Sequence, residues 1–234
     1  MTRQIVLDTE TTGLNPKLGN RVIEIGCVEL VNRKLTGNNF HYYLNPERES
    51  EEGALAVHGL TSEFLRDKPK FTEIIDEFLE FISGAEVVIH NAPFDVGFLN
   101  AEFSRANITP FSEHVSRVTD TLVQAKELHP GKRNSLDALC DRYEVSNSHR
   151  KLHGALLDAE LLAEVFLAMS RGQNSFSIEL NDPIEHEVTQ DVSTTALNQS
   201  VLVVQVSQIE LELHNLAISV INKETSEKAI WNNS

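Results

Sequence analysis

The chain lacks several features that would fix its class outright. It has only two cysteines in 234 residues, Cys27 and Cys140, too few for a disulfide scaffold. Each lies in a strand-like or helix-like segment, so both are expected as reduced core residues of a cytosolic, cytoplasmic protein. No apolar run approaches the ~20 residues that a membrane span needs. The opening Met1-Thr2-Arg3-Gln4 runs straight into a strand-like segment, so no signal peptide is expected. Basic residues are also scarce. The 20 Lys and Arg against 35 Asp and Glu give a net charge of −15, which argues against binding nucleic acid through a broad basic surface. Acidic excess is densest at the end: residues 1–172 carry 18 basic and 26 acidic residues, residues 173–234 carry 2 and 9. Phosphates can still be met by bound cations and a few local basic groups.

What is present begins with Ile5-Val6-Leu7-Asp8-Thr9-Glu10-Thr11-Thr12-Gly13. Three apolar residues leading into two carboxylates read as a buried central strand. Side chains alternate along a strand, so Asp8 and Glu10 point the same way. Paired carboxylates repel, and without compensation one is pushed toward protonation. A divalent cation is the natural compensation, and oxygen-only ligands suit Mg²⁺ or Mn²⁺ rather than zinc. The plainer alternative, a strand end emerging into solvent, stands until matching carboxylates appear elsewhere.

Further strands are expected at Val22–Val31, Phe40–Leu44, 85–90 and 115–120. Gly37-Asn38-Asn39 reads as the turn between strands two and three, which makes them antiparallel neighbours. Helices are expected over 72–82, ended by Gly84, then from Pro93 through Phe103, near 121–128, over 135–143, and from His153 to Met169. Alternating strands and helices predict an α/β domain around a mixed five-stranded sheet flanked by helices.

Matching acids do occur. Asp95 follows a strand at a helix start, and Asp158 lies on the last helix, five residues after His153. On one continuous helix those two would sit ~140° apart. His153 is therefore expected on the loop or first turn before the helix, as a mobile general base rather than a ligand. The pattern Asp8-x-Glu10, His90-Asn91-x-x-Phe94-Asp95 and His153-x-x-x-x-Asp158 resembles the DEDD family of 3′→5′ exonucleases, in its histidine subfamily. Gly154 occupies the position where a sister subfamily carries tyrosine. Asn38-Asn-Phe-His41, Val57-His-Gly59 and Pro130-Gly-Lys-Arg-Asn-Ser-Leu-Asp-Ala-Leu-Cys140 extend the likeness, over residues 1–172, to the proofreading (epsilon) subunit family of bacterial DNA polymerase III.

That resemblance implies a ribonuclease-H-like fold and two Mg²⁺ or Mn²⁺ ions. Asp8, Glu10 and Asp158 would be ligands, with Asp95 holding the second ion partly through water. His153 would deprotonate the attacking water. His58 would help hold the 3′-terminal nucleotide, with Leu14 and Val57 packing on its base and sugar. One departure occurs: Gly53, next to Glu52, stands where relatives commonly have an acidic residue. Asn91 and Phe94 read as supports for Asp95. His90 reads as packing beneath the site, and Lys132 and Arg133 as phosphate contacts or a solvated loop.

Three segments follow: a catalytic domain over 1–172, a flexible acidic linker over 173–199, and a polymerase-binding segment over 200–234. Gln173-Asn-Ser-Phe-Ser-Ile178 resembles a sliding-clamp peptide. Val201–Val206 reads as a strand. Ser207 and Glu210 have capping-box spacing, with Ile209, Leu213, Leu216 and Val220 on one helical face. Too small for its own core, this piece and Trp231 are expected to dock on the polymerase catalytic (alpha) subunit. A small theta-like subunit is a further implied partner of the catalytic domain. Two other readings remain: an exonuclease that trims RNA, and a non-catalytic adaptor. The long tail argues against the first, and the complete acidic set with His153 against the second.

Overall fold

A computed structural model describes residues 2–147, 152–170 and 208–224. Its centre is strand β1 (Arg3–Thr11), whose Ile5, Val6 and Leu7 are wholly buried. β2 (Val22–Val31) pairs with it antiparallel, and β3 (Lys34–Tyr43) pairs with β2. On the other side, β4 (Glu86–Ile89) runs parallel to β1, and β5 (Arg117–Asp120) parallel to β4. The order β3-β2-β1-β4-β5 is the mixed five-stranded sheet expected.

Alternation along β1 assigns its two faces. Ile5 and Leu7 join a core that includes Phe71 and Phe78 of α3 (Phe71–Ile82) and Phe98 and Leu99 of α4 (Ala92–Arg105). Val6 packs instead with Val28, Val88 and the Ala159 and Leu162 of α7 (Ala155–Met169). Two shorter helices, α5 (Thr121–Leu128) and α6 (Leu136–Tyr143), add Ala125, Leu139 and Cys140 against α7. Both cysteines are buried thiols, and burial holds the Cys27 thiol well above its usual range.

Two expectations need correction. The turn between β2 and β3 is Asn32-Arg33, with φ of 50° and 64°, and not Gly37–Asn39. Two consecutive left-handed residues make a tight hairpin that suits strand twist. Gly37, at φ 81°, lies inside β3, where the β2–β3 register shifts, as a bulge requires. The second concerns the stretch before α3, where two short helices stand: α1 (Glu52–His58) and α2 (Ser62–Leu65). His58 is the last residue of α1 and is buried.

At two places α7 is fixed to the β2–β3 hairpin. Arg33 donates to Ser170 Oγ at 2.8 Å and to the Leu167 carbonyl at 3.0 Å, serving the helix's C-terminal end. At its start, the backbone of Ala155 and Leu156 lies directly on Gly26. A Cβ on Gly26 would come within 2.3 Å of Leu156 N and 2.4 Å of Ala155 C.

The chain divides into one compact unit over Met1–Ile178 and another over Glu179–Ser234. Within the second, α8 spans Gln208–Glu224, and the Ile209, Leu213 and Leu216 side chains are exposed. The expected linker, the Gln173–Ile178 peptide, the Val201–Val206 strand and Trp231 lie outside the described residues. Among those residues, no helix is long and apolar enough to cross a membrane.

The Gly26 contact gives the first prediction. Gly26→Ala forces α7 off the sheet, an overpacking cost of ~1–3 kcal/mol. The melting temperature of the metal-free chain is expected to fall by roughly 2–10 °C, measured by circular dichroism.

Candidate active site

Asp8 and Glu10 sit on the face of β1 that carries α7, near the strand's carboxyl end. Asp158 lies one turn into α7, its N–H donating to the Gly154 carbonyl at 2.9 Å. Because α7 starts on Gly26, and Gly26 is the strand partner of Asp8, the register brings Asp158 to the two β1 carboxylates. His153 precedes the helix, as its spacing predicted. Its Nδ1 stands 3.2 Å from Asp158 Oδ2.

Asp95 arrives from the opposite face of the sheet. It occupies the first turn of α4, which follows β4 through Asn91 at φ 65°, a left-handed conformation asparagine tolerates. The Thr9 hydroxyl, facing α4, donates to Asp95 Oδ1 at 2.7 Å. The cleft therefore opens where both faces meet at the end of β1. It is lined by Asp8, Thr9, Glu10, His90, Phe94, Asp95, Leu136, His153 and Asp158. His90, expected beneath the site, is part of this lining, and its Nδ1 pairs with Thr121 Oγ1 at 2.9 Å. Burial and the nearby Lys126 hold its pKa below the usual histidine value against Asp120 and a backbone contact at Asn134.

This donor set fits a hard divalent cation. Ligand atoms of Glu10, His153 and Asp158 lie within 4.8 Å of one another, with Asp8 and Asp95 along the same wall and no Lys or Arg among the lining residues. The His153 nitrogen is thus close enough to act as a ligand as well as a base. Burial pushes the Asp95 carboxyl up to about 7, opposed by the Thr9 hydroxyl and assisted by Asp120. A bound cation would reverse that penalty.

A second pocket of about 430 Å³ adjoins the cleft, sharing Thr9, Glu10 and Phe94. Its other walls include Leu14, Val57, His58, Gly53 and Glu51. Leu14, Val57 and His58, singled out from sequence, are therefore together. Leu14 is 81% exposed and Val57 45%, a half-open apolar clamp. His58 Nδ1 accepts the Leu60 N–H at 2.9 Å, which puts the proton on Nε2, and that atom is buried without a partner. Burial lowers its pKa, against the charge of Glu24. A neutral donor is thus left for an acceptor on a bound molecule. At Gly53 a Cβ would meet nothing within 4 Å, so the pocket is open there. Glu51 reaches over Gly13, held by Asn20 Nδ2 at 2.8 Å.

Thr9, Glu51 and a half-buried pair, Glu24 with His41 at 2.8 Å, were not singled out from sequence. Glu24 is the strand partner of Glu10. The polar residue inside Asp8-x-Glu10 was a visible signal for Thr9. Glu51 and Glu24 gave none, because their roles depend on pairing between distant segments.

The elevated Asp95 value has a consequence for the metal-free chain. Below the ordinary aspartate value of 3.8 both folded and unfolded chains hold the proton. Between there and about 7 only the folded chain holds it, so stability falls as pH rises through that window. Asp95→Asn removes this loss. In chelator, the variant's melting advantage should be larger at pH 8 than at pH 4.5, by roughly 2–4 °C for each kcal/mol involved.

Comparison with known proteins gives the family. The family model described as "Exonuclease" matches residues 5–166. The chain is 48% identical to DNA polymerase III subunit epsilon of Pasteurella multocida, over 98% of this chain and 93% of that one. It is 49% identical to the Escherichia coli K12 protein of the same name, over 96% and 95%. Among solved structures, Exonuclease X in complex with 5′ overhanging duplex DNA superposes with a TM-score of 0.56 at 24% identity, covering 74% of this chain and 94% of that one. This last likeness carries the fold alone, a ribonuclease-H-like mixed sheet. The chain therefore belongs to the exonuclease family, among the bacterial DNA polymerase III epsilon subunits.

Proposed function

We propose that the chain is a 3′→5′ DNA exonuclease, the proofreading subunit of DNA polymerase III, releasing nucleoside 5′-monophosphates from a 3′ end. The observation that carries this is the meeting of Asp8, Glu10, Asp95, His153 and Asp158 in one cleft beside an apolar pocket. Family membership supports both the activity and the polymerase partner. A partner that copies the chromosome implies a cytoplasmic location.

The four carboxylates would hold two Mg²⁺ or Mn²⁺ ions. Bound there, such a pair supplies hydroxide near neutral pH and stabilises the leaving oxygen. The chain's own groups do the rest. Leu14 and Val57 grip the terminal base and sugar, and His58 Nε2–H donates to an acceptor on the same nucleotide. His153, oriented by Asp158 Oδ2, takes a proton from the attacking water as the new O–P bond forms. The P–O3′ bond breaks with its electron pair going to O3′, which takes a proton from solvent, and His153 later returns its proton to solvent. A mismatched end reaches the cleft more readily because unpairing it costs less.

Residues 1–172 would be the catalytic domain and 173–199 a flexible acidic tether. Residues 200–234 would be the segment that binds the polymerase catalytic subunit. The exposed Ile209, Leu213 and Leu216 of α8 support that last assignment. The Gln173–Ile178 peptide would contact the sliding clamp, and a small theta-like subunit would sit on the catalytic domain.

His153→Ala should slow Mn²⁺-dependent hydrolysis of single-stranded DNA by ~10²–10⁴ while metal affinity persists. Collapse of metal affinity as well would make His153 a ligand. Asp158→Ala should abolish turnover, and near-normal rates would sink the metal assignment.

Truncation after Arg171 tests the tail. The short form should keep full activity on free single-stranded DNA and lose association with the polymerase catalytic subunit in gel filtration. Stoichiometric co-elution would place the partner site on the catalytic domain.

A further inference from the structure

The backbone that carries His153 is seated on the wall of the neighbouring pocket. His153 N–H donates to the Val57 carbonyl at 3.2 Å, and Val57 is the penultimate residue of α1. One residue earlier, the Leu152 side chain covers Gly59. A Cβ built on Gly59 would lie 2.6 Å from Leu152 Cδ1, so a side chain there would displace the tip of Leu152 from this contact. Gly59 is also at φ 71°, closing α1 with its N–H on the Leu55 carbonyl at 2.8 Å. On the other side of His153 stands Gly154, which begins α7 with no side-chain capping bond. The seat on α1 is therefore a lateral support of the His153 backbone.

α1 itself is lightly held. Its Glu52, Gly53, Leu55, Ala56 and Val57 are exposed, and its leading residue Glu51 is tied to the motif loop by a backbone bond to Thr12 at 2.7 Å. Ala54, Val57 and His58 form one wall of the 430 Å³ pocket, while Thr11, Leu14 and Phe94 lie on the β1 and α4 side. A base seated between them would pack α1 from inside and so hold the Val57 carbonyl, which His153 N–H meets, and the glycine that Leu152 covers.

We propose that Leu152 and Gly59 are positioning residues that couple filling of the nucleotide pocket to placement of His153. This rests on the exonuclease reading above and deepens it. A terminal nucleotide whose base fills the pocket holds α1, and α1 holds the general base within reach of the water. A terminal sugar without a base leaves α1 unsupported, and the penalty falls on turnover as well as on binding. Selection is thus expressed in kcat through induced order, and not only through affinity.

The test uses the full-length chain with Mn²⁺ and two single-stranded oligonucleotides, one ending in thymidine and one in an abasic sugar. Leu152 is half exposed, so Leu152→Ala should fold, which a melting curve checks. On the thymidine end Leu152→Ala should lower kcat ~10-fold, with little change in KM, since a displacement near 1 Å costs up to ~10²-fold. On the abasic end, where the coupling is already absent, the same variant should change kcat less than 2-fold, a margin small against that ~10²-fold scale. Leu152→Met, which can still cover Gly59, should restore the thymidine rate. Equal losses on both ends would make Leu152 merely structural and overturn the proposal, as would no loss on either. His153→Ala serves as the separate control. If it loses nothing on either substrate, the exonuclease mechanism fails, whatever Leu152 does.

Discussion

The contact between Gly26 and the first turn of α7 is the constraint on which the rest of the site depends. Helices normally ride on a sheet at a distance set by side chains. Here backbone meets backbone, because β2 offers no side chain at that position. Gly26 is the strand partner of Asp8, so the place of closest approach is also the place of the first carboxylate. Asp158 follows Ala155 by three residues and must fall beside β1. Arg33 holds the far end of the same helix from the adjoining hairpin. The last carboxylate is thus located by sheet register at one end and a guanidinium at the other.

That geometry concentrates negative charge with no Lys or Arg among the described lining residues. The arrangement is unfavourable for folding and favourable for binding. Repulsion among the carboxylates and burial of Asp95 are costs carried by the metal-free chain. Divalent cations bound there would recover them, so affinity for such ions and intrinsic stability would oppose each other. The apolar pocket beside the cleft has the reverse character, with exposed Leu14 and Val57 offering surface that water leaves readily. Charge and apolar surface meet along Thr9, Glu10 and Phe94. A nucleotide, with its phosphate at one end and its base at the other, matches that division.

Much of this is legible in the sequence. Asp8 and Glu10 are readable because alternation along a strand is a local rule. The loop position of His153 follows from helical spacing to Asp158. The helices α3 to α7 announce themselves by periodicity or capping residues. What escapes is non-local or brief. α1 and α2 are too short for a periodic signal, although Thr61 and Gly59 mark their junction. The β2–β3 turn was misplaced because Asn32 and Arg33 adopt left-handed backbone without glycine. Asp95 was identified, but not its approach from the other face of the sheet. That depends on how α4 crosses the end of β1, and on Thr9, whose hydroxyl only matters once that crossing is known.

The spacing of the four carboxylates along the chain has a temporal meaning. They stand at 8, 10, 95 and 158, while the last strand of the sheet ends at Asp120. A chain leaving the ribosome can therefore complete its sheet well before α7 emerges. Until then two sides of the cleft exist and the third does not. The cleft is complete only with the final helix of the domain, so a half-made chain lacks its last carboxylate.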